Sequence, residues 1–263
     1  MKRHSIALLL AAIAAPVAAH TPFLAPTSFE TREGGTVSLD AGFAETFFVP
    51  EAVFDNSTFV VTDPAGKTAA PDTLQRLRTR AVVEHTLAAG KGTYRFSTGP
   101  RVGALFRTWE VGGKRESTRD PAVKIPAGAK VISDFQSLTL AETYLSVGAP
   151  NRAALVASGK GLEFVPVTHP SDLYVGESFE FVVQYDGKPL ASQPVEVTEA
   201  VWTADRKAAV ETLQTDANGH VRLPLAKAGT FLALSRYRSV APAGAAAPEY
   251  SNSYTLTFHV LTP

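Results

Sequence analysis

The chain has 263 residues, 45% of them hydrophobic and 19% charged, with 25 basic and 25 acidic side chains. That composition supports a packed core, excludes wholesale disorder, and leaves no net field to draw the chain to nucleic acid or an anionic membrane. There is no cysteine, and the one methionine is Met1. Disulfides, thiolate zinc sites, iron–sulfur clusters and thioether ligands for copper(I) are excluded together.

The first residues read as an export signal. Met1-Lys2-Arg3-His4 is a basic start, Ile6 to Ala15 an apolar run, and Val17-Ala18-Ala19 offers small side chains for cleavage. The run is shorter than the roughly 20 residues of a spanning helix, and no later stretch is apolar enough to cross a bilayer. A cleaved signal peptide over residues 1–19 predicts a periplasmic or secreted protein whose first residue is His20. Without disulfides, its stability must come from the core alone.

Beyond the signal the pattern is strand-like. Thr36–Asp40, Thr93–Ser97, Phe179–Tyr185 and Tyr254–Val260 alternate apolar and polar residues with period two, as half-buried strands do. Asp63-Pro64-Ala65-Gly66, Asp186-Gly187-Lys188-Pro189 and Asp216-Ala217-Asn218-Gly219 carry turn chemistry between them. Gly112–Gly128 and Ala241–Pro248 read as loops. Ala204–Leu213 reads as a short helix, with an edge strand as the alternative. Apolar periodicity lapses at Asn151–Lys160. The expectation is an all-β protein of two β-sandwich domains, residues 20–155 and 161–263. Phe43, Phe47, Phe48, Phe54 and Phe59 are expected to fill the first core. Arg76, Arg78 and Arg80 are expected on one charged face of an edge strand, and Arg236, Tyr237 and Arg238 on a wet face.

No nucleophile elbow, phosphate loop, dinucleotide fingerprint or His-Glu-x-x-His occurs, so the inventory favours binding over catalysis. Histidine is the remaining chemistry. His220 shares a strand face with Arg222, and His259 with Thr255 and Thr257, which predicts solvent for both. His85 falls in phase with Val83 and Leu87, so it is either a hydrogen-bonded core histidine or a ligand. His169 precedes Pro170, which holds it extended, and Asp172 lies close enough to orient its ring; it is either a turn residue or a partner to an N-terminal site.

His20 differs because cleavage changes its chemistry. As the first residue it would carry a free α-amine beside its imidazole, and the amine with Nδ1 can close a chelate ring on Cu²⁺, Ni²⁺, Co²⁺ or Zn²⁺. The amine's reference pKa of about 7.7–8.0 makes its deprotonation inexpensive near neutrality. A second histidine or a carboxylate would be needed to tighten the site. Thr21-Pro22-Phe23-Leu24 would pin the terminus to the sandwich.

Several segments resemble one bacterial periplasmic family: Ala19 to Leu24, Gly161 to Pro170, Gly176-Glu177, Tyr185 to Leu190, Thr215 to His220, and Lys227 to Thr230. That family is the domain-of-unknown-function family numbered 4198, linked to nickel and cobalt uptake systems as their periplasmic component. Its C-terminal part also resembles transthyretin-like or carboxypeptidase-regulatory β-sandwiches. The resemblance implies Ig-like or transthyretin-like sandwiches, a mature chain that begins with histidine, and membrane transporter components as partners. Metal-ligand candidates are thus His20, His169 and His85, for a divalent ion whose identity stays open, with no catalytic residue. The competing expectation is a structural or adaptor sandwich that binds an envelope partner or a glycan. A copper-dependent oxidative enzyme built on the terminal histidine is a third.

Overall fold

The computed structural model describes residues 20–200 and 209–263. The expected signal peptide, and residues 204–208 of the expected helix, lie outside them. In chain order the strands are β1 (Thr21–Pro26), β2 (Thr36–Ala44), β3 (Ala52–Val53), β4 (Val60–Thr62), β5 (Thr68–Ala69), β6 (Thr73–Arg76), β7 (Ala81–Thr86), β8 (Gly92–Ser97), β9 (Arg101–Val111) and β10 (Lys114–Thr118). The 18-residue β11 (Lys130–Val147) follows, then a 3-10 turn at Ala153–Leu155. The rest are β12 (Leu162–Pro166), β13 (Ser178–Tyr185), β14 (Lys188–Pro189), β15 (Pro194–Glu199), β16 (Val210–Gln214), β17 (His220–Pro224), β18 (Gly229–Val240) and β19 (Glu249–Val260).

Alternation explains most of these strands. On β2, Val37, Leu39 and Ala41 are buried; on β13, Phe179, Phe181 and Val183 are. Such faces form strands because every second side chain leaves water on one side of the sheet. The turns use the chemistry their residues offer. Asp63 Oδ1 accepts N–H bonds from Ala65 and Lys67 at 2.8 and 2.9 Å, and Asp216 Oδ1 accepts from Asn218 and His220 at the same two distances. Asp186 and Gly187 take φ of 48° and 73° between the paired Tyr185 and Lys188, the left-handed geometry of a two-residue hairpin. Gly99 has φ 68°, and a Cβ there would lie 2.2 Å from the Thr58 carbonyl oxygen, so only glycine fits.

The strands form three sheets. A five-stranded sheet runs β1-β2-β7-β6, with β3 on β2. A four-stranded sheet runs β12-β13-β14, with β17 on β13. The third has ten strands, in the order β16-β15-β18-β19-β11-β8-β4-β5, with β9 on β11 and β10 on β9. This sheet is common to both halves of the chain. β11 pairs with β9 and β8 from the first half, and runs parallel to β19 from Phe135↔Glu249 to Thr143↔Thr257.

Two apolar cores lie against that shared sheet. One gathers Leu24, Leu39, Phe54, Phe59, Tyr94, Phe96 and Leu145; the other gathers Phe164, Phe179, Phe181, Val195, Leu223, Tyr254 and Phe258. A smaller cluster joins Phe23, Ala25, Ala44 and Phe47 to Leu232 and Leu234, with Phe48 against it. The phenylalanines expected in one core are thus divided between two clusters.

A buried polar network crosses the seam. Glu142 on β11, 8% exposed, accepts the Tyr254 hydroxyl from β19 at 2.7 Å, and Arg95 Nε from β8 stands 3.9 Å from its other oxygen. Arg95 also donates through Nη1 to the Val156 carbonyl at 3.2 Å. Burial first, and the Glu142 charge second, raise the Tyr254 phenol well above its ordinary pKa, so it stays a donor.

Four expectations are corrected. Val210–Leu213, at the end of the segment read as a helix, follows the alternative instead and belongs to edge strand β16 on β15. Residues 112–128 are not loop throughout: Gly112 and Gly113, at φ 57° and 73°, turn β9 into β10. Arg78 and Arg80 leave the strand that holds Arg76; Leu77 N–H bonds the Arg80 carbonyl in a turn, and Arg80 Nε reaches Asp40 at 3.1 Å. Arg238 lies over the Phe135 ring at 3.4 Å and Tyr237 meets Tyr185 at 4.9 Å, so that segment is not simply a wet face.

Candidate metal centre

His20 directly precedes β1. The antiparallel pair Thr21↔Ala44 sets it opposite Glu45, where β2 runs out into a loop. That loop returns at Glu51, whose N–H bonds the Phe43 carbonyl at 2.9 Å before β3 rejoins β2. A carboxylate at each end of a short loop is thereby delivered to one histidine. His20, Glu45 and Glu51 each offer a donor atom within 4.8 Å of the others, and all three residues are exposed.

The contacts are specific. His20 Nε2 lies 2.8 Å from Glu51 Oε2, and Glu51 Oε1 accepts the backbone N–H of Glu45 at 3.0 Å. Both Glu51 oxygens are therefore engaged. With Nε2 held by a carboxylate, Nδ1 is the other ring nitrogen, and a carboxylate on the far ring nitrogen is the arrangement that orients metal-bound imidazoles.

The platform beneath is aromatic. Phe23, three residues along β1 from His20, meets Phe47 and Phe48 edge-on at 6.2 Å each. Phe48 takes φ 72°, a left-handed conformation that a bulky residue adopts only where its surroundings impose it. Val49 N–H bonds the Thr46 carbonyl at 2.9 Å and closes the loop tip.

The structure does not bring His85 or His169 to this cluster. His85 on β7 pairs with Val37. Eight positions along the chain separate Val37 from Glu45, about 26 Å of extended strand. The His85 ring meets Tyr94 and Phe96 edge-on at 6.4 and 6.0 Å, and its Nδ1 lies 3.2 Å from Asp72 Oδ1. That is the environment of a core histidine on the apolar face.

His169 has both ring nitrogens engaged. The Ser171 N–H donates to Nδ1 at 3.1 Å, so the proton sits on Nε2, which bonds the Asn151 carbonyl at 2.9 Å and lies 3.0 Å from Thr93 Oγ1. A metal would have to displace one of these bonds. Burial, above all, depresses its pKa below the ordinary 6.5. The unfolded chain then takes a proton near pH 6.5 that the folded chain refuses until lower pH, so stability present above 6.5 is lost as pH falls below it. Replacing His169 with Ala should flatten that acid limb in urea titrations between pH 7.5 and 5, and lower stability at pH 7.5 by about 1–3 kcal/mol for the stranded partners.

Of the other two, His220 is exposed as expected. His259 is not turned to solvent: it is half-buried, stacks on Phe29 at 5.2 Å and bonds Thr230 Oγ1 through Nδ1 at 2.9 Å. Thr255 and Thr257, the residues that set the expected face, are themselves buried.

The sequence called for a second histidine or a carboxylate beside His20, named His169 and His85, and named neither glutamate. The available signal was the loop Glu45-Thr46-Phe47-Phe48-Val49-Pro50-Glu51, acidic at both ends just after an alternating strand.

The family model described as "Domain of unknown function (DUF4198)" matches residues 17–239. The chain belongs to the DUF4198 family. No curated protein matches this DUF4198 chain. Among solved structures it is similar to the D0-D1 domain of Intimin, at 12% identity, TM-score 0.22, 89% of this chain and 96% of that one. It is also similar to the Yersinia pseudotuberculosis adhesin InvE, at 14% identity, TM-score 0.22, 90% of this chain and 58% of that one. The FN1-FN3 domains of chicken CNTN1 give 9% identity, TM-score 0.21, 91% and 98%. Among the described residues of the DUF4198 chain, no helix is long and apolar enough to cross a membrane.

Proposed function

We propose that the chain is exported and cut after Ala19, and that the protein beginning at His20 binds a divalent transition-metal ion as a non-catalytic accessory to metal uptake. In this reading residues 20–155 and 161–263 are its two sandwich domains. The observation that carries it is the meeting of His20, Glu45 and Glu51 within 4.8 Å. The α-amine and Nδ1 of His20 supply two nitrogens and Glu45 an oxygen, a set suited to borderline ions rather than to Mg²⁺ or Ca²⁺. The ion's charge also offsets the proximity of two carboxylates. A nickel or cobalt cargo, and a membrane transporter as partner, rest on the family resemblance alone. Titration of the mature protein with Ni²⁺, Co²⁺, Cu²⁺ and Zn²⁺ tests the reading: binding should occur at one site and disappear in His20→Ala. Binding that His20→Ala leaves intact would end it.

A second reading, an adaptor sandwich that binds an envelope partner, is favoured by Val102, Val131, Ile132 and Val240, which lie exposed on β9, β11 and β18. A partner retained by the chelator-treated protein, with no metal taken up, would support this reading instead.

A further inference from the structure

We infer that Glu51 is a positioning residue rather than a metal ligand, and that filling the site locks the loop from Glu45 to Glu51. This rests on the metal reading above and deepens it. The two oxygens of Glu51 perform different tasks: Oε2 meets His20 Nε2 at 2.8 Å, and Oε1 accepts the Glu45 N–H at 3.0 Å. An ion cannot enter a 2.8 Å contact, so the ring and the loop neck are tied through one carboxylate while the ion takes the other ring nitrogen. Glu45 brings its carboxylate within 4.8 Å across the same neck. Its side-chain carboxylate makes no hydrogen bond or ion pair among the described residues, which leaves it free to serve as the oxygen ligand.

The loop is built to register this event. Its two ends are the two carboxylates, its tip is closed by the Thr46–Val49 bond, and Phe48 is held at φ 72° with its ring on Phe47 and Phe23. A left-handed phenylalanine persists only while its neighbours hold it. An ion bridging His20 to Glu45 adds a further tie at the neck. Occupancy thus becomes a change in the order of an exposed loop whose tip presents Val49, 52% exposed, and a partner can read it.

Hydrogen exchange of residues 45–51 in the mature protein, with and without NiCl₂, tests this alongside calorimetric Ni²⁺ affinity for wild type, Glu51→Ala and Glu51→Gln. Saturating Ni²⁺ should slow exchange in the wild-type loop. Glu51→Ala should bind about 10–100-fold more weakly, the usual cost of removing a carboxylate that orients a ligand histidine, and should show no slowing even when saturated. Glu51→Gln, which keeps one acceptor, should fall between. Because Glu51 is exposed, the unfolding midpoints of the variants should stay near wild type, which separates positioning from misfolding. Full Ni²⁺ affinity in Glu51→Ala, or a wild-type loop indifferent to bound Ni²⁺, would overturn the inference and leave the metal reading standing. Absence of Ni²⁺ binding in wild type would remove both.

Discussion

Replacing Arg95 with Met should destabilise the protein by about 3–5 kcal/mol, because it strips a buried carboxylate of its counter-charge. Glu142 is 8% exposed and would keep the Tyr254 hydroxyl at 2.7 Å as its close partner. A single neutral donor cannot replace water and a guanidinium around a buried carboxylate, so the folded state bears the cost of leaving it without a counter-charge. For a chain of this size the loss corresponds to a fall in Tm of roughly 6–20 °C. Adding Glu142→Gln removes the charge while keeping an acceptor for Tyr254, and should recover most of the loss. Calorimetry of the two single variants and the double closes the cycle. If the double variant is no more stable than Arg95→Met, the buried charge is not the cause and lost packing of the arginine stem is.

If the protein begins at His20 and binds a metal there, as proposed, placing one alanine ahead of His20 should weaken that binding more than any single carboxylate substitution. The extension leaves the imidazole, Glu45 and Glu51 unchanged but converts the α-amine into an amide, which is not a ligand near neutral pH. The chelate then falls to a single ring nitrogen. The same amine sets the pH dependence: its reference pKa of about 7.7–8.0 means protons compete for it below that range. Affinity should therefore drop about tenfold per pH unit below about pH 7.5 in the proposed protein beginning at His20, and less steeply in the extended one. Parallel titrations at pH 6.5, 7.5 and 8.5 would show it. Equal affinities for the two forms would mean that the amine takes no part.

The sequence announced the strands better than their partners. β2, β8, β13 and β19 each follow an alternating run; the aspartates at 63 and 216 bond their own turns, and Asp186 takes the left-handed φ its hairpin needs. Alternation names a face but not what covers it, which is why His259 went astray. β19 lies between β18 and β11, and even its threonine face is covered. The same limit hid the meeting of His20, Glu45 and Glu51. Glu45 and Glu51 reach His20 only through the register Thr21↔Ala44 and the return of the chain at β3. His85 was legible as a core residue from its phase with Val83; for His169 the local bond from Ser171 fits the turn reading, while the partners of its Nε2 come from 18 and 76 residues away and left no local trace.

The parallel pairing of β11 with β19 has a consequence for how the molecule comes together. A fragment ending at residue 155 would possess its own apolar interior yet bare one long flank of β11, an open template for sticking to other chains. The central sheet cannot close until residues near the carboxyl end arrive, so assembly waits on contacts separated by more than a hundred positions and should be slow. The two sandwiches are therefore not interchangeable beads on a string, and neither is a safe module to transplant by itself.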